Sequence, residues 1–511
     1  MKKKVLNAAI VAGLLATVGL AGGAQAVELS ADGLGQVLIY PYYTVNGNQQ
    51  TVFSVVNATS VAKAVRVRFL EGYNAREVLD FNLFLSGFDV WTGTVFALTD
   101  GGLPGDGAAL LTDDRSCTAP SSAEWEVLNP NHPGRRYLAF RDSAYTGAHQ
   151  DSGPVDKARQ REGHVELLQM ADLGGMLRNA VTHVAGGVPA NCNVVQAVDP
   201  ANSGLLAPTG GLFGAGGIVN AAQGTFYGYN ADALGGFSRI PLFAASGMPT
   251  PSLAQANTTP DTATAKVLDA TGELFRSDFP TSGQSSQAID AVSAVFMASS
   301  LLNEYNVDAQ VGSNTDWVVT FPTKRFYTDP EILGVPLGAA GALPPFTYTF
   351  GQPVAGNVYG DPGNGDGQSC SRITFQQFNR EGSRAPEYGP GYIGSTPLNL
   401  STLCGSVNVV SFLSRNSPAT DSAVLASRRF VRIPPYANSG WLRFDFNAVI
   451  QPHALRASRD GDVFDGLPAT GFQAVNYVHD NVVPGTLSNY STTFRYRALR
   501  NCRNAAAGGC S

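Results

Sequence analysis

The chain has 511 residues and a net charge of −6, and 14% of its residues are charged, against about 25% in an average domain. Hydrophobic residues reach 44%, which excludes disorder through low hydrophobicity, and the length allows about three folding units at roughly 150 residues each. The acidic balance argues against nucleic acid and anionic membrane surfaces as partners.

Lys2, Lys3 and Lys4 precede an apolar stretch over Val5–Leu20, and Ala24-Gln25-Ala26 supplies a small-x-small site. This pattern predicts a signal peptide over 1–26 and Val27 as the first mature residue. The apolar stretch is short for a bilayer, which needs roughly 20 such residues, and Gly13, Gly19, Gly22 and Gly23 loosen it. No cysteine directly follows the site, so no lipid anchor is expected. Removal leaves 31 basic against 40 acidic residues, or −9. No later run approaches a transmembrane span, so the mature chain is expected to lack one.

Beyond the leader the chain reads as mainly β. Gln36–Val45 (QVLIYPYYTV) is dense in strand formers, with Pro41 placing it at an edge or a bulge. Asn46-Gly47-Asn48 then suggests a hairpin to Thr51–Thr59. Val65, Val67 and Phe69 alternate with Arg66 and Arg68, which predicts one buried and one solvated face. Leu79, Phe81, Leu83 and Leu85 alternate with Asp80 and Asn82 in the same way. Four strands in about 60 residues point to an antiparallel β-sandwich of immunoglobulin-like architecture, with a few helices and long loops.

Tyr137–Phe140 reads as a short strand, and His164–Leu173 fits strand or helix, with strand the preferred reading. The stretch 204–236 is rich in Gly and Ala, and 244–283 reads as an extended loop or linker. Ile289, Val292, Phe296 and Leu302 share a helical face, so a core helix is expected over Ala288–Leu302, with Ser285 or Ser286 as cap and Asp290 in the first turn. Strands resume at Thr315–Tyr327, Val407–Leu413, Trp441–Phe446 and Thr492–Ala498. In the last two, Leu442, Phe444 and Phe446 alternate with Arg443 and Asp445, and Phe494 and Tyr496 with Arg495 and Arg497, which predicts the apolar side chains inside. The expected regions are an N-terminal β-sandwich region (27–200), a Gly/Ala/Ser-rich region with one core helix (201–310) and a C-terminal β-rich region (311–511).

Six cysteines, none in a C-x-x-C pair, allow 15 pairings. An even count in an exported chain favours disulfides. Nearest-neighbour pairing gives Cys117–Cys192, Cys370–Cys404 and Cys502–Cys510.

The YPYYTV, RVRFLEG and REVLDFN segments, the helix running into NEY, and TDWVVTFPTKRF resemble a group of uncharacterised secreted or cell-surface proteins of Gram-negative bacteria. The likeness covers most of the mature chain. It implies export and a surface role and transfers no catalytic residue.

Candidate chemistry is sparse. His132, His149, His164 and His183 share a stretch with Asp142, Asp151, Asp156, Glu162 and Glu166, without zinc-ligand spacing. Asp460, Asp462 and Asp465 in SRDGDVFDG, and Asp361, Asn364 and Asp366 in DPGNGDG, resemble calcium loops without the distal Glu of an EF-hand. Calcium is thus the one cofactor the sequence suggests. Leu467–Gly471 spells a sortase signal (LPATG) but lacks the apolar span and basic tail that follow a real one. Neither a G-x-S-x-G elbow nor a phosphate-binding loop is present. The linker, the helix and the cysteines argue against a transmembrane barrel.

The reading that fits best is an exported, non-enzymatic structural or adhesive protein of the cell surface or the extracellular space, with the periplasm as the other compartment. An exported carbohydrate-active hydrolase and a soluble ligand-binding module are the alternatives. The partner is then another surface component or a second copy, with Gln36–Val45 as a strand that could be donated to a neighbour.

Overall fold

Val37–Thr44, the strand that carries Pro41, lies inside a sheet. It is hydrogen-bonded to Glu162–Leu173 on one side and Asp232–Gly235 on the other, and all eight of its residues are buried. Pro41 has no N–H to give, and it falls at a bulge where Pro41 and Tyr42 together stand opposite His164. The bulge therefore holds and the edge position does not. This strand is also paired at home, flanked on both sides by its own chain. The computed structural model describes residues 25–504 apart from 130, 132–133, 259–260, 269–271, 273, 281–286, 353–368, 387–399, 415, 448–450, 457–460 and 480–481.

The fold is mainly β, built from largely antiparallel sheets stacked as sandwiches, with one parallel pair between Val407–Ser411 and Phe430–Arg432. The first sheet runs, in spatial order, Glu28–Leu29, Asp232–Gly235, Val37–Thr44, Glu162–Leu173, Ala62–Glu71, Glu77–Leu85 and Cys117–Ala119. The second runs Thr225–Asn230, Leu212–Asn220, Gln50–Asn57, Val90–Ala97, Ala108–Thr112, Arg136–Ala139 and Glu126–Val127. Val65, Val67, Phe69 and Phe81 of the first sheet meet Phe53, Val55 and Trp91 of the second in one core. Phe53 stands edge-on to Phe69 at 5.6 Å between centroids, a favourable arrangement of aromatic quadrupoles. The expected hairpin is corrected here: Val37–Thr44 and Gln50–Asn57 belong to opposite sheets, and the turn at Gly47 (φ +57°) and Asn48 (φ +60°) carries the chain across. Strands beyond residue 200 complete this first sandwich.

Arg66 and Arg68 are buried, contrary to the alternating reading. Their face of the sheet is covered by the segment 244–248, which the sequence suggested was linker. Arg66 pairs with Asp80 at 2.6 Å and donates to the carbonyls of Ala245 (2.7 Å) and Met248 (2.6 Å). Arg68 lies between Glu77 (2.5 Å) and Glu166 (3.5 Å). Further along, 244–283 forms the hairpin Thr262–Leu268 and Leu274–Pro280, which shares a core with the helix.

That helix spans Gln287–Phe296, shorter than expected. Met297–Ala298 and Ser300–Asn306 are strands instead, because their backbones pair with Leu467–Pro468 and Ser439–Asp445. Ser285 and Ser286 lie outside the described residues. Burial lifts the carboxyl of Asp290, in the first turn, to about 7, although the Tyr327 hydroxyl donates to it at 2.6 Å. A carboxyl whose folded pKa is raised stabilises the protein at low pH, and that contribution is lost as pH rises from about 4 through about 7. Asp290→Asn is therefore expected to be more stable than the parent by about 1–2 kcal/mol in urea unfolding at pH 8. The gain should vanish near pH 4. A parent as stable as the variant at pH 8 contradicts this.

The second pair of sheets forms from the C-terminal half. The third sheet runs Phe430–Arg432, Val407–Ser411, Ser313–Thr320, Thr470–Tyr477 and Tyr490–Arg495. The fourth runs Leu400–Leu403, Ser371–Asn379, Ser439–Asp445, Ser300–Asn306 and Arg497–Leu499. Trp317, Phe412, Leu442 and Phe444 fill the space between them. Strand pairing in Ser313–Thr320 stops short of the expected Tyr327, and Arg325–Thr328 is a short helix. The outer face of the third sheet (Val318, Val407, Val409, Phe472) closes against the first sandwich. Thr320 donates its hydroxyl to the Pro41 carbonyl at 2.6 Å.

Disulfides join Cys117 to Cys192 and Cys370 to Cys404, as nearest-neighbour pairing predicted. Cys502 is disulfide-bonded as well, and Cys510 lies outside the described residues. Among the described residues, no helix is long and apolar enough to cross a membrane.

Candidate functional site

Two open sheet edges lie side by side where the sandwiches meet. One is Thr225–Asn230 of the second sheet and the other is Tyr490–Arg495 of the third. Side chains rather than backbone ladders join them. Phe226 N–H donates to Ser491 Oγ at 2.8 Å, and the same hydroxyl donates to the Phe226 carbonyl at 2.9 Å. Thr493 donates to the Gly228 carbonyl, and Arg495 pairs with Asp232 at 2.8 Å. Capping both edges in this way blocks further strand addition.

Beside the seam opens a cavity of about 380 Å³, within the roughly 300–1,000 Å³ of small-ligand pockets. Its lining includes Phe226, Asn230, Asp232, Thr493, Phe494 and Arg495. Phe226 and Phe494 stay 54% and 53% exposed, which is unusual for rings of this size. Glycines set the Phe226 ring. Gly217 and Gly228 are cross-strand partners, and a Cβ on Gly217 would lie 2.3 Å from the ring. The ring thus lies against bare backbone with its other face open. On the opposite face of the sheet, Tyr229 covers Gly216 and stacks on Phe472 with centroids 4.8 Å apart. Tyr229 also donates to the Tyr42 carbonyl, which ties the floor of the seam to the bulged strand.

The polar groups differ in availability. Asp232 is engaged by Arg495 and by the Thr470 hydroxyl, and burial raises its carboxyl above the usual range despite both. Arg495 keeps most of its guanidinium in solvent, with its side chain 64% exposed. Among the described residues the Asn230 side chain has no hydrogen-bond partner. The site can therefore hold a flat, partly apolar ligand by stacking, with an amide and a guanidinium at its margin.

The residues singled out from the sequence lie elsewhere. Asp462 and Asp465 sit three apart on the strand Asp462–Asp465, on opposite faces. Asp462 accepts from Ser277 (2.5 Å) and Asn504 (2.6 Å), whereas Asp465 accepts from Arg503 and Asn501 (both 2.6 Å). Asp460, Asp361, Asn364 and Asp366 lie outside the described residues. The histidines are dispersed: His149 contacts Glu331, His183 contacts Ser86, and His164 is buried beside Glu166. His132 lies outside the described residues. Among the described residues no three His, Cys, Asp or Glu gather as a metal site. The LPATG segment is woven into strands, with Leu467 fully buried and Thr470 held by Asp232.

The cavity residues were not identified from the sequence. Phe494 was expected inside a continuous strand through Ala498. The strand instead ends at Arg495, Tyr496 turns into the core against Trp317 (5.2 Å), and Arg497–Leu499 joins the fourth sheet. GAGGIVN is rich in glycine and TFYGYN in aromatics, but only pairing reveals which ring covers which glycine. Comparison with protein-family descriptions, curated proteins and solved structures found no match to this chain.

Proposed function

We propose that this protein is exported and non-enzymatic, and that it works at the cell surface or beyond it by holding a ligand or surface component in the aromatic cleft between its sandwiches. The observation that carries this reading is the cleft itself. Two phenylalanines stay half-exposed on opposite edges, and one is seated on a glycine pair rather than buried. The leader pattern and the disulfides fit an oxidising compartment. Hydrolysis of glycosides calls for two carboxylates about 5–10 Å apart. Asp232 is the one carboxylate among the described lining residues, and Arg495 and Thr470 engage it.

Fractionation of producing cells is expected to place the protein at the surface or in the medium, starting at Val27. Replacing Phe226 and Phe494 together by Ser should reduce attachment of those cells several-fold, at unchanged surface amount. A cytoplasmic chain beginning at Met1, or undiminished attachment, would refute the proposal.

A further inference from the structure

We infer that the cleft takes a pyranose sugar, stacked on the open face of Phe226 and hydrogen-bonded by Asn230 and Arg495; this rests on the binding role proposed above. The apolar C–H face of a pyranose matches a flat aromatic ring, and its hydroxyls need donors and acceptors at the ring's edge. Phe226 offers the ring in a fixed orientation, because Gly217 and Gly228 leave room for it to lie flat and their backbone covers its other side. Phe494, on the facing strand, also lines the cavity.

Asn230 belongs to the same strand as Phe226, four residues on, and therefore projects from the same face. Its amide supplies both a donor and an acceptor, and in the described residues both are unused. Arg495 supplies donors; it pairs with Asp232 at 2.8 Å, a carboxylate that also faces Arg500. A peptide strand fits less well, since Ser491 and Thr493 already occupy backbone groups of the edge Phe226–Gly228. A lipid chain fits less well too, because polar groups line the cavity alongside the rings.

The test uses the full mature protein and four disaccharides: maltose, cellobiose, lactose and N,N′-diacetylchitobiose. Saturation-transfer NMR and calorimetry would be run up to about 20 mM, well above a Kd of ~1 mM. At least one sugar is expected to bind, with the largest transfer at ring C–H protons. Phe226→Ser should weaken it about tenfold and Asn230→Ala several-fold. Phe88→Ser, which alters an exposed ring outside the cleft, should leave binding unchanged. Circular dichroism and the melting temperature establish that each variant is folded. Gly217→Ala gives a second route: it should displace the ring and weaken binding without removing an aromatic. Absence of binding by all four sugars, or binding indifferent to Phe226→Ser, overturns the sugar assignment. If attachment of cells still depends on Phe226 and Phe494, the ligand class alone is wrong. If attachment is independent of them, the binding role fails.

Discussion

Arg159→Ala is expected to cost about 3–5 kcal/mol of folding stability, because it strands two buried carboxylates. Arg159 donates to both oxygens of Asp151 at 2.7 Å and to Glu71 at 3.0 Å, and its guanidinium lies 4.4 Å from the Tyr145 ring centre. All three charged groups are buried. Burial alone would raise the Glu71 and Asp151 carboxyls, yet Arg159 holds both below their usual values. Such carboxylates contribute stability above their unfolded pKa and lose it as pH falls through the folded one. Without Arg159 the burial effect takes over and their pKa values rise. The deficit of the variant should therefore be largest near pH 7.5 and shrink toward pH 4.5, read by urea unfolding. Glu71 also accepts the backbone N–H groups of Tyr73, Asn74 and Arg76, so the turn after its strand should loosen as well. Arg76 from that turn pairs with Asp329 at 2.8 Å, which links the two sandwiches. A pH-independent loss below about 1 kcal/mol would show that the carboxylates are not held by Arg159.

Arg66→Ala and Phe69→Ala are expected to destabilise by similar amounts, about 3–5 kcal/mol each, for different reasons. Phe69 fills the core of the first sandwich and touches Tyr43, Phe53 and Phe140. Its loss leaves a cavity. Arg66 is the anchor of the segment over the other face: Asp80 accepts from Gly247 N–H at 2.8 Å, and Asn82 donates to the Ala244 carbonyl at 2.9 Å. Removing the guanidinium unties Ala245 and Met248 and leaves Asp80 buried, with burial already raising its carboxyl. The alternating pattern alone would place Arg66→Ala near roughly 0.5 kcal/mol, the value for a solvated site. Limited proteolysis distinguishes the two. Cleavage within 244–250 should accelerate in Arg66→Ala and not in Phe69→Ala at matched stability. Equal cleavage in both would mean that Arg66 does not hold this segment.

What could be read from the sequence was what depends on near neighbours in the chain. Alternation at period two placed Val65, Val67, Phe69, Leu442 and Phe444 inside, because successive side chains in a strand point to opposite faces. His164–Leu173, which fits strand or helix, is a strand as favoured, and the order of the cysteines correctly paired 117 with 192 and 370 with 404. Alternation could not say what lies over the second face. Arg66 meets Ala245 across 179 residues, and Phe226 meets Ser491 across 265. A polar face covered by another segment has the same local pattern as one facing water. The helix ended early for the same kind of reason: Met297 and Ala298 have helical neighbours in sequence but a strand partner in space. The cleft is the extreme case. Its rings, its glycine seat and its Asp–Arg pair come from two edges of two sheets, and nothing short of the tertiary pairing brings them together.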